Sequence, residues 1–249
     1  MFYRNMRFVI TDERIPKECA ASLSERGFTV IPLPPHASIP SPVASHTDML
    51  VFRDGKTLIV PRDYLECNPQ IREKLRSFKG YTLIESEETC GDKYPADAKF
   101  NAAVIGKRLL SKRDTVAKDI LSHAEERDLE LIHTKQGYPA CTVLALDSEH
   151  AITADGGIAR LLSEAGVNVL RIRDSEAIKL PPYRFGFIGG SAGVFEKTVY
   201  FVGNAASHPD YDNILAFING IGFEAVSLAP TLDFILDVGG LAFIDDGAD

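Results

Sequence analysis

A short apolar run that stops shortly before an Asp or Asn occurs five times in this chain. The runs are Phe8-Val9-Ile10 before Asp12, Leu58-Ile59-Val60 before Asp63, Leu109-Leu110 before Asp114, Ala151-Ile152-Thr153 before Asp155, and Tyr200-Phe201-Val202 before Asn204. Such internal repetition limits the fold more than any motif does, because each copy must be one supersecondary unit that buries its apolar face against its neighbours. Each run reads as a strand, and each Asp or Asn as a helix N-cap whose side-chain oxygen accepts a free amide of the first turn. Helix-period segments follow over Lys17 to Arg26, Pro69 to Phe78, Thr115 to Arg127, Ile158 to Ala165 and Asp210 to Ile218. Four of them end at or near a glycine, and fresh apolar runs begin at Phe28, Tyr81, Leu129, Val167 and Phe223. Strand, helix, strand is the crossover that parallel pairing requires.

Between the copies lies a further strand that turns back on itself. Met49 to Phe52, Ala102 to Ile105, Thr142 to Leu146 and Phe185 to Ile188 precede Gly or Asp turns and read as the first strands of hairpins. The unit is therefore strand, strand, helix, strand, and its capping positions recur at intervals of 51, 51, 41 and 49 residues. That regularity predicts one radial assembly spanning 1–249 as a single domain. The first copy lacks its leading strand, and the last segment, Phe234 to Ile244, supplies strand-like pieces around Gly239-Gly240 with no helix after them. The two ends complete each other, so the expected ring leaves no open sheet edge. The competitor is an open doubly wound sheet, which needs no hairpin in each unit.

Charge and cysteines narrow the function. The 249 residues carry a net charge of −8, with no basic stripe for nucleic acid, and that field suits a small cationic ligand. No apolar run approaches a membrane span, and Met1 to Thr11 is no signal peptide, so a cytoplasmic location is expected. Cys19, Cys67, Cys90 and Cys141 show neither CxxC nor Cys/His ligand spacing, which predicts free thiols, no metal and no cofactor. A homo-oligomer is compatible with all of this.

The repeat, with Tyr94-Pro-Ala-Asp-Ala-Lys-Phe-Asn101, Ile152-Thr-Ala-Asp-Gly-Gly-Ile-Ala-Arg160 and Tyr183-Arg-Phe-Gly-Phe-Ile-Gly-Gly190, resembles the guanidino-group-modifying enzymes across essentially the whole chain. These include arginine and agmatine deiminases, dimethylarginine hydrolases and amidinotransferases, and the resemblance extends to a bacterial group of the same fold. It implies an α/β fold class: a five-bladed β/α-propeller (pentein) of ββαβ units with pseudo-fivefold symmetry, closed by the N- and C-terminal strands. His46-Thr47-Asp48 matches the family's His-x-Asp motif, although the deiminases carry theirs in a later unit. Pro95-Ala96-Asp97 echoes a Gly-Gly-Asp motif. The nucleophilic Cys that follows a Gly-Gly in many of these enzymes is missing, for Phe243 stands at the equivalent place after Gly239-Gly240.

Residue by residue, two positions apart on a strand puts His46 and Asp48 on one face, as acid–base work requires, or on a solvated polar edge. Asp97, Lys99 and Asn101 alternate with apolar residues, so Asp97 and Asn101 either grip a planar cation or face water. Asp233, Ile235 and Asp237 share a face at the closing strand, with Asp237 near the axis or serving as a turn carboxylate. Cys141 opens the third hairpin at the level of Asp48 and Asp97; as a nucleophile it needs a depressed pKa, with His46 as the agent, and otherwise it is a small buried hydrophobe. The expected chemistry, if enzymatic, is that of an amidinohydrolase or deiminase with catalytic His46, Asp48 and Cys141 and substrate-binding Asp97, Asn101 and Asp237. A non-catalytic binding protein on the same scaffold is the alternative, and metal-assisted hydrolysis through His46, Asp48 and Asp237 a third.

Overall fold

A computed structural model describes residues 6–247. The first five residues of the N-terminal segment and the last two of the predicted 1–249 span lie outside the described residues. In chain order the first unit holds β1 (Arg7–Asp12), α1 (Lys17–Glu25) and β2 (Phe28–Leu33). The second holds α2 (Thr47–Leu50), β3 (Phe52–Asp54), β4 (Thr57–Pro61), α3 (Arg62–Cys67), α4 (Pro69–Arg76) and β5 (Thr82–Ser86). Then come β6 (Ala103–Ile105), β7 (Arg108–Ser111), α5 (Lys118–Glu126) and β8 (Glu130–His133). The next unit contains α6 (Pro139–Thr142), β9 (Val143–Ala145), β10 (His150–Thr153), α7 (Gly156–Glu164) and β11 (Asn168–Arg171). After the short β12 (Ile178–Lys179) follow β13 (Ala192–Phe195), β14 (Thr198–Phe201), α8 (Tyr211–Gly220), β15 (Glu224–Ser227), β16 (Ile235–Leu236) and β17 (Ala242–Asp245).

Five three-stranded sheets share one connectivity: β17-β1-β2, β3-β4-β5, β6-β7-β8, β9-β10-β11 and β13-β14-β15. In each, the middle strand pairs antiparallel with the leading strand and parallel with the strand after the helix. The chain ends meet as expected, with Phe8 opposite Ile244 and Ile10 opposite Ala242. The middle strands are buried on both faces, which explains why Leu58-Ile59-Val60 and its counterparts read as unbroken apolar runs rather than alternation. Leu23, Ile120, Leu162 and Ile218, on α1, α5, α7 and α8, are fully buried, each contributing about 2 kcal/mol.

Several expectations need correction. The sheets are discrete: among the described residues no strand pairing joins one three-stranded sheet to the next, so the chain ends complete one sheet without removing the edges of the others. Only β12 and β16 form a further, two-stranded sheet. Phe185 to Ile188 is no strand; the leading strand of the last hairpin comes after the glycines, at Ala192–Phe195, because Gly189–Ser191 first makes a 3-10 turn. Asp155 caps α7, accepting from the amides of Gly157 (2.7 Å) and Ile158 (2.9 Å). Asn204 caps only a 3-10 turn, Asp63 lies inside α3, and Asp12 ends β1, where its carboxylate receives Arg14 instead of a helix. No helix among the described residues is long and apolar enough to cross a membrane.

Candidate functional site

The leading strands and the turns before them converge. β3 packs on β6, β6 on β9, β9 on β13 and β13 on β17. A cavity of about 240 Å³ between them is lined by residues from all five, among them Arg53 of β3 and the small Ala103, Ala145, Gly193 and Ala242 of the others, together with Asp48. Beyond Asp48 lies a second cavity of about 370 Å³, whose lining includes His46, Asp97, Cys141 and Asp237. Four of the six predicted site residues therefore line one pocket. Asp48 adjoins it beside His46 and Cys141, and Asn101 supports it from behind.

The local structure that does this is not the predicted one. His46 and Asp48 are not on a strand. His46 precedes the single helical turn of α2, whose Asp48 amide donates to the Gly239 carbonyl at 3.0 Å. Asp97 sits in a 3-10 turn, Ala96–Ala98, and Asn101 in the loop after it, so strand alternation does not apply and Lys99 pairs with Glu88 instead. Cys141 belongs to α6 rather than to a hairpin strand. Asp237 follows the two-residue β16 and is buried, whereas Asp233 is exposed. Turns prevail over strands here because each polar side chain needs its backbone amides satisfied locally while it points inward.

Close backbone approach fixes Asp237 and His46. Asp237 accepts from the Phe187 amide at 2.8 Å and the Gly239 amide at 3.0 Å. A Cβ on Gly190 would overlap the Asp237 carboxylate, and one on Gly239 would overlap the Cβ of His46. Glycine is required at both places by space rather than by turn geometry alone.

Three carboxylates surround the His46 imidazole, none at hydrogen-bonding distance. Nδ1 lies 4.0 Å from Asp48 Oδ1 and 3.8 Å from Asp237 Oδ1, while Nε2 lies 3.9 Å from Asp12 Oδ2. Asp12, assigned to helix capping by its spacing, is thus a member of the site that sequence reasoning missed; its position after a buried strand is shared by four other copies and carried no special signal. Arg14 clasps it through two nitrogens and reaches the carbonyls of Ser41 and Pro42, holding the loop that leads to His46. Tyr138, also missed, donates to Asp97 Oδ2 at 2.8 Å. Asn101 donates to Cys141 Sγ at 3.1 Å and accepts from the Ala140 amide at 2.8 Å, so it orients the thiol from outside the pocket.

Burial dominates the electrostatics. It raises Asp48 to about 6, with Asp237 and Asp12 adding to the rise and His46 and the neighbouring Cys141 opposing it. Burial likewise raises Asp237, against His46 and the Phe187 and Gly239 amides. The Cys141 thiol is pushed well above its ordinary range by burial and then by Asp48 and Asp237. The expected depression is absent, because burial and then two carboxylates disfavour the thiolate. His46 Nδ1, Asp97 Oδ1 and both Asp48 oxygens are buried without a hydrogen bond of ordinary geometry. Among the described residues no three His, Cys, Asp or Glu are disposed to hold a metal ion. Phe243 is fully buried, its ring packed at a tilt against Phe28, Phe195 and Tyr200, so the position of the missing nucleophile is core.

Solved structures resemble the chain over its whole length at low identity. A C. jejuni agmatine deiminase matches at 8% identity and TM-score 0.59, covering 100% of this chain and 99% of that one. A dimethylarginine dimethylaminohydrolase from Pseudomonas aeruginosa, complexed with citrulline, matches at 11% and 0.55, covering 92% and 94%. An amidinotransferase of saxitoxin biosynthesis from Microseira wollei matches at 12% and 0.54, covering 94% of each. No curated protein matches. These likenesses show the pentein fold that the resemblance implied. A protein family matches residues 10–242, and the chain therefore belongs to the one described as "Family of unknown function (DUF6873)".

Proposed function

We propose that this protein is a cytoplasmic, single-domain, closed five-bladed β/α-propeller that binds a guanidino or amidino compound in the acidic pocket beside its axis. The observation that carries the reading is a set of buried polar atoms without a hydrogen bond of ordinary geometry: His46 Nδ1 and Asp97 Oδ1, whose residues line one cavity, and both oxygens of Asp48, which adjoins it beside His46. A buried acceptor left unpaired costs about 1–3 kcal/mol, and a planar cation with several N–H donors would satisfy several at once. The shared connectivity of the five sheets and the cavity lined by all five leading strands support the ring.

Turnover would proceed through Cys141. The protonated thiol is the resting form because it is buried and, next, because its neighbours are anionic; a bound guanidinium offsets Asp48 and Asp237 and lowers the cost of the thiolate. His46 takes the thiol proton, Sγ bonds to the guanidinium carbon, and a C–N bond breaks as His46 returns that proton to the departing amine. Water, losing a proton to His46, then replaces Sγ, leaving a urea and regenerating the thiol. The fold of deiminases and hydrolases supports this chemistry only by analogy.

The test is calorimetric binding of methylguanidine against urea, followed by assay of ammonia, urea and methylamine release from arginine, agmatine and methylated arginines. Binding of methylguanidine but not urea, lost in Asp97→Asn, is expected; equal binding of both removes the reading. Release that disappears in Cys141→Ala supports catalysis. The buried Phe243 favours the second reading, a binding protein without turnover. Thiol labelling at neutral pH separates them: ligand-protected labelling of Cys141 speaks for catalysis, and labelling confined to the exposed Cys67 speaks for binding.

A further inference from the structure

The pocket is far larger than a guanidinium group, and most of the wall above its acidic floor is apolar. Val43, Met49, Leu180, Phe185 and Phe187 make its wall, with the Tyr183 ring at the rim. Phe185 and Phe187 meet edge to face, their centroids 6.4 Å apart. The strap that carries them is tied down at both glycine and aromatic positions: the Gly186 amide donates to the Ile178 carbonyl at 2.8 Å, and the Phe187 amide to Asp237 itself. The aromatic wall is thereby held in register with the carboxylate floor. Two of the three large apolar side chains exposed among the described residues, Tyr94 and Tyr183, belong to this neighbourhood, since the Tyr94 ring lies tilted against that of the pocket residue Tyr138, centroids 5.4 Å apart. Clustered exposed aromatics mark a surface built to be covered.

The charge distribution is equally one-sided. Above the floor the one cationic side chain lining the pocket, among the described residues, is Arg184, and its Nε already donates to Glu176 Oε1 at 2.8 Å in a solvated pair. An amino acid such as arginine would bring its α-carboxylate and α-ammonium into this apolar neck, where both would lose water with no partner to replace it.

Resting on the guanidino reading above, we infer that the ligand class is the N-alkyl or N-aryl guanidines and amidines that lack an α-carboxylate, the cation held on Asp48, Asp97 and Asp237 and the substituent packed along Phe185, Phe187, Leu180 and Val43. Calorimetry on the full chain with methyl-, butyl-, hexyl- and benzylguanidine, arginine, agmatine and hexylurea tests it. Each methylene that reaches the wall should tighten binding about fourfold, so hexylguanidine, with five more methylenes than methylguanidine, should exceed it by up to roughly 1,000-fold, and arginine by at least about tenfold. Phe185→Ala should erase most of the gain for benzylguanidine and leave methylguanidine within about twofold. A flat series with chain length, or arginine as the tightest ligand, overturns this inference while the guanidino reading stands. Hexylurea binding as tightly as hexylguanidine overturns the guanidino reading instead. The ranking of ligands on the unmodified protein decides the matter even if Phe185→Ala does not fold.

Discussion

His123 and His46 are both buried beside carboxylates, and they are arranged in opposite ways. His123 on α5 meets Asp54, at the end of β3, at 2.9 Å, and Arg127 completes the group from the solvent side at 3.2 Å. His46 has three carboxylates around it, each at 3.8–4.0 Å, with Nδ1 unpartnered. The first group is closed: its hydrogen bonds are made within the protein, and it ties a hairpin turn to the next unit's helix. The second is held open by backbone clamps on Asp237 and by Arg14 on Asp12, so its polar atoms face a cavity instead of each other. Burial of charge is common to both; what separates a clasp from a site is whether the protein satisfies its own polar atoms.

Removing the clasp should produce the largest effect on stability. Asp54→Ala leaves the His123 ring buried without its partner and should lower unfolding free energy by about 3 kcal/mol in a denaturant titration. Methylguanidine affinity in the same variant should stay within about twofold. Loss of binding without loss of stability would erase the distinction between the two groups.

The opposite outcome is expected at Asp48. Its folded pKa of about 6 lies above its unfolded value, so the native state holds a proton that the unfolded chain has released. Stability is fully present at the acid end and declines as pH rises through about 6. Asp48→Asn should therefore stabilise the ligand-free protein by about 2 kcal/mol at pH 8 and by almost nothing near pH 4. The same substitution should weaken guanidine binding at least about tenfold at pH 8, where the carboxylate is charged. In the unmodified protein, affinity should climb from pH 5 to 7 as Asp48 ionises, and the variant should lose that component of the climb. A variant that is less stable at pH 8 would show Asp48 to be an internally satisfied group like Asp54.

Smallest is the effect of Tyr138→Phe. It removes the hydroxyl that fixes Asp97 Oδ2 and should cost about 1 kcal/mol of stability and a few-fold in affinity, with the ligand ranking intact. An unchanged affinity would separate Asp97 from the floor and sharpen the site to Asp48 and Asp237.

Much of this architecture was legible in the chain. The five apolar runs became the middle strands, and the predicted helices appear close to their expected bounds, because both rest on local periodicity that the tertiary structure reinforced. The complementarity of the ends was visible in the missing leading strand of the first unit. Turn chemistry was not: His46, Asp97, Asn101 and Cys141 all lie in short helical or 3-10 turns or the loops beside them, where period-two reasoning misdirects. Asp12 and Asp155 occupy the same place in the repeat, yet one caps a helix and the other faces His46, a difference that depends on distant neighbours.

By itself the sequence determined the repeat, the connectivity of each unit and the pairing of β1 with β17, since these follow from hydrophobic pattern and from which strands the chain leaves without partners. Only the tertiary structure decided that His46, Asp48, Asp97, Cys141, Asp237 and Asp12 meet, that the Cys141 thiol is raised rather than lowered, and that the wall above them is mostly apolar. Those properties arise from burial and from charges brought together across four units of the repeat, and neither burial nor the sum of such charges is written in any local stretch of the chain.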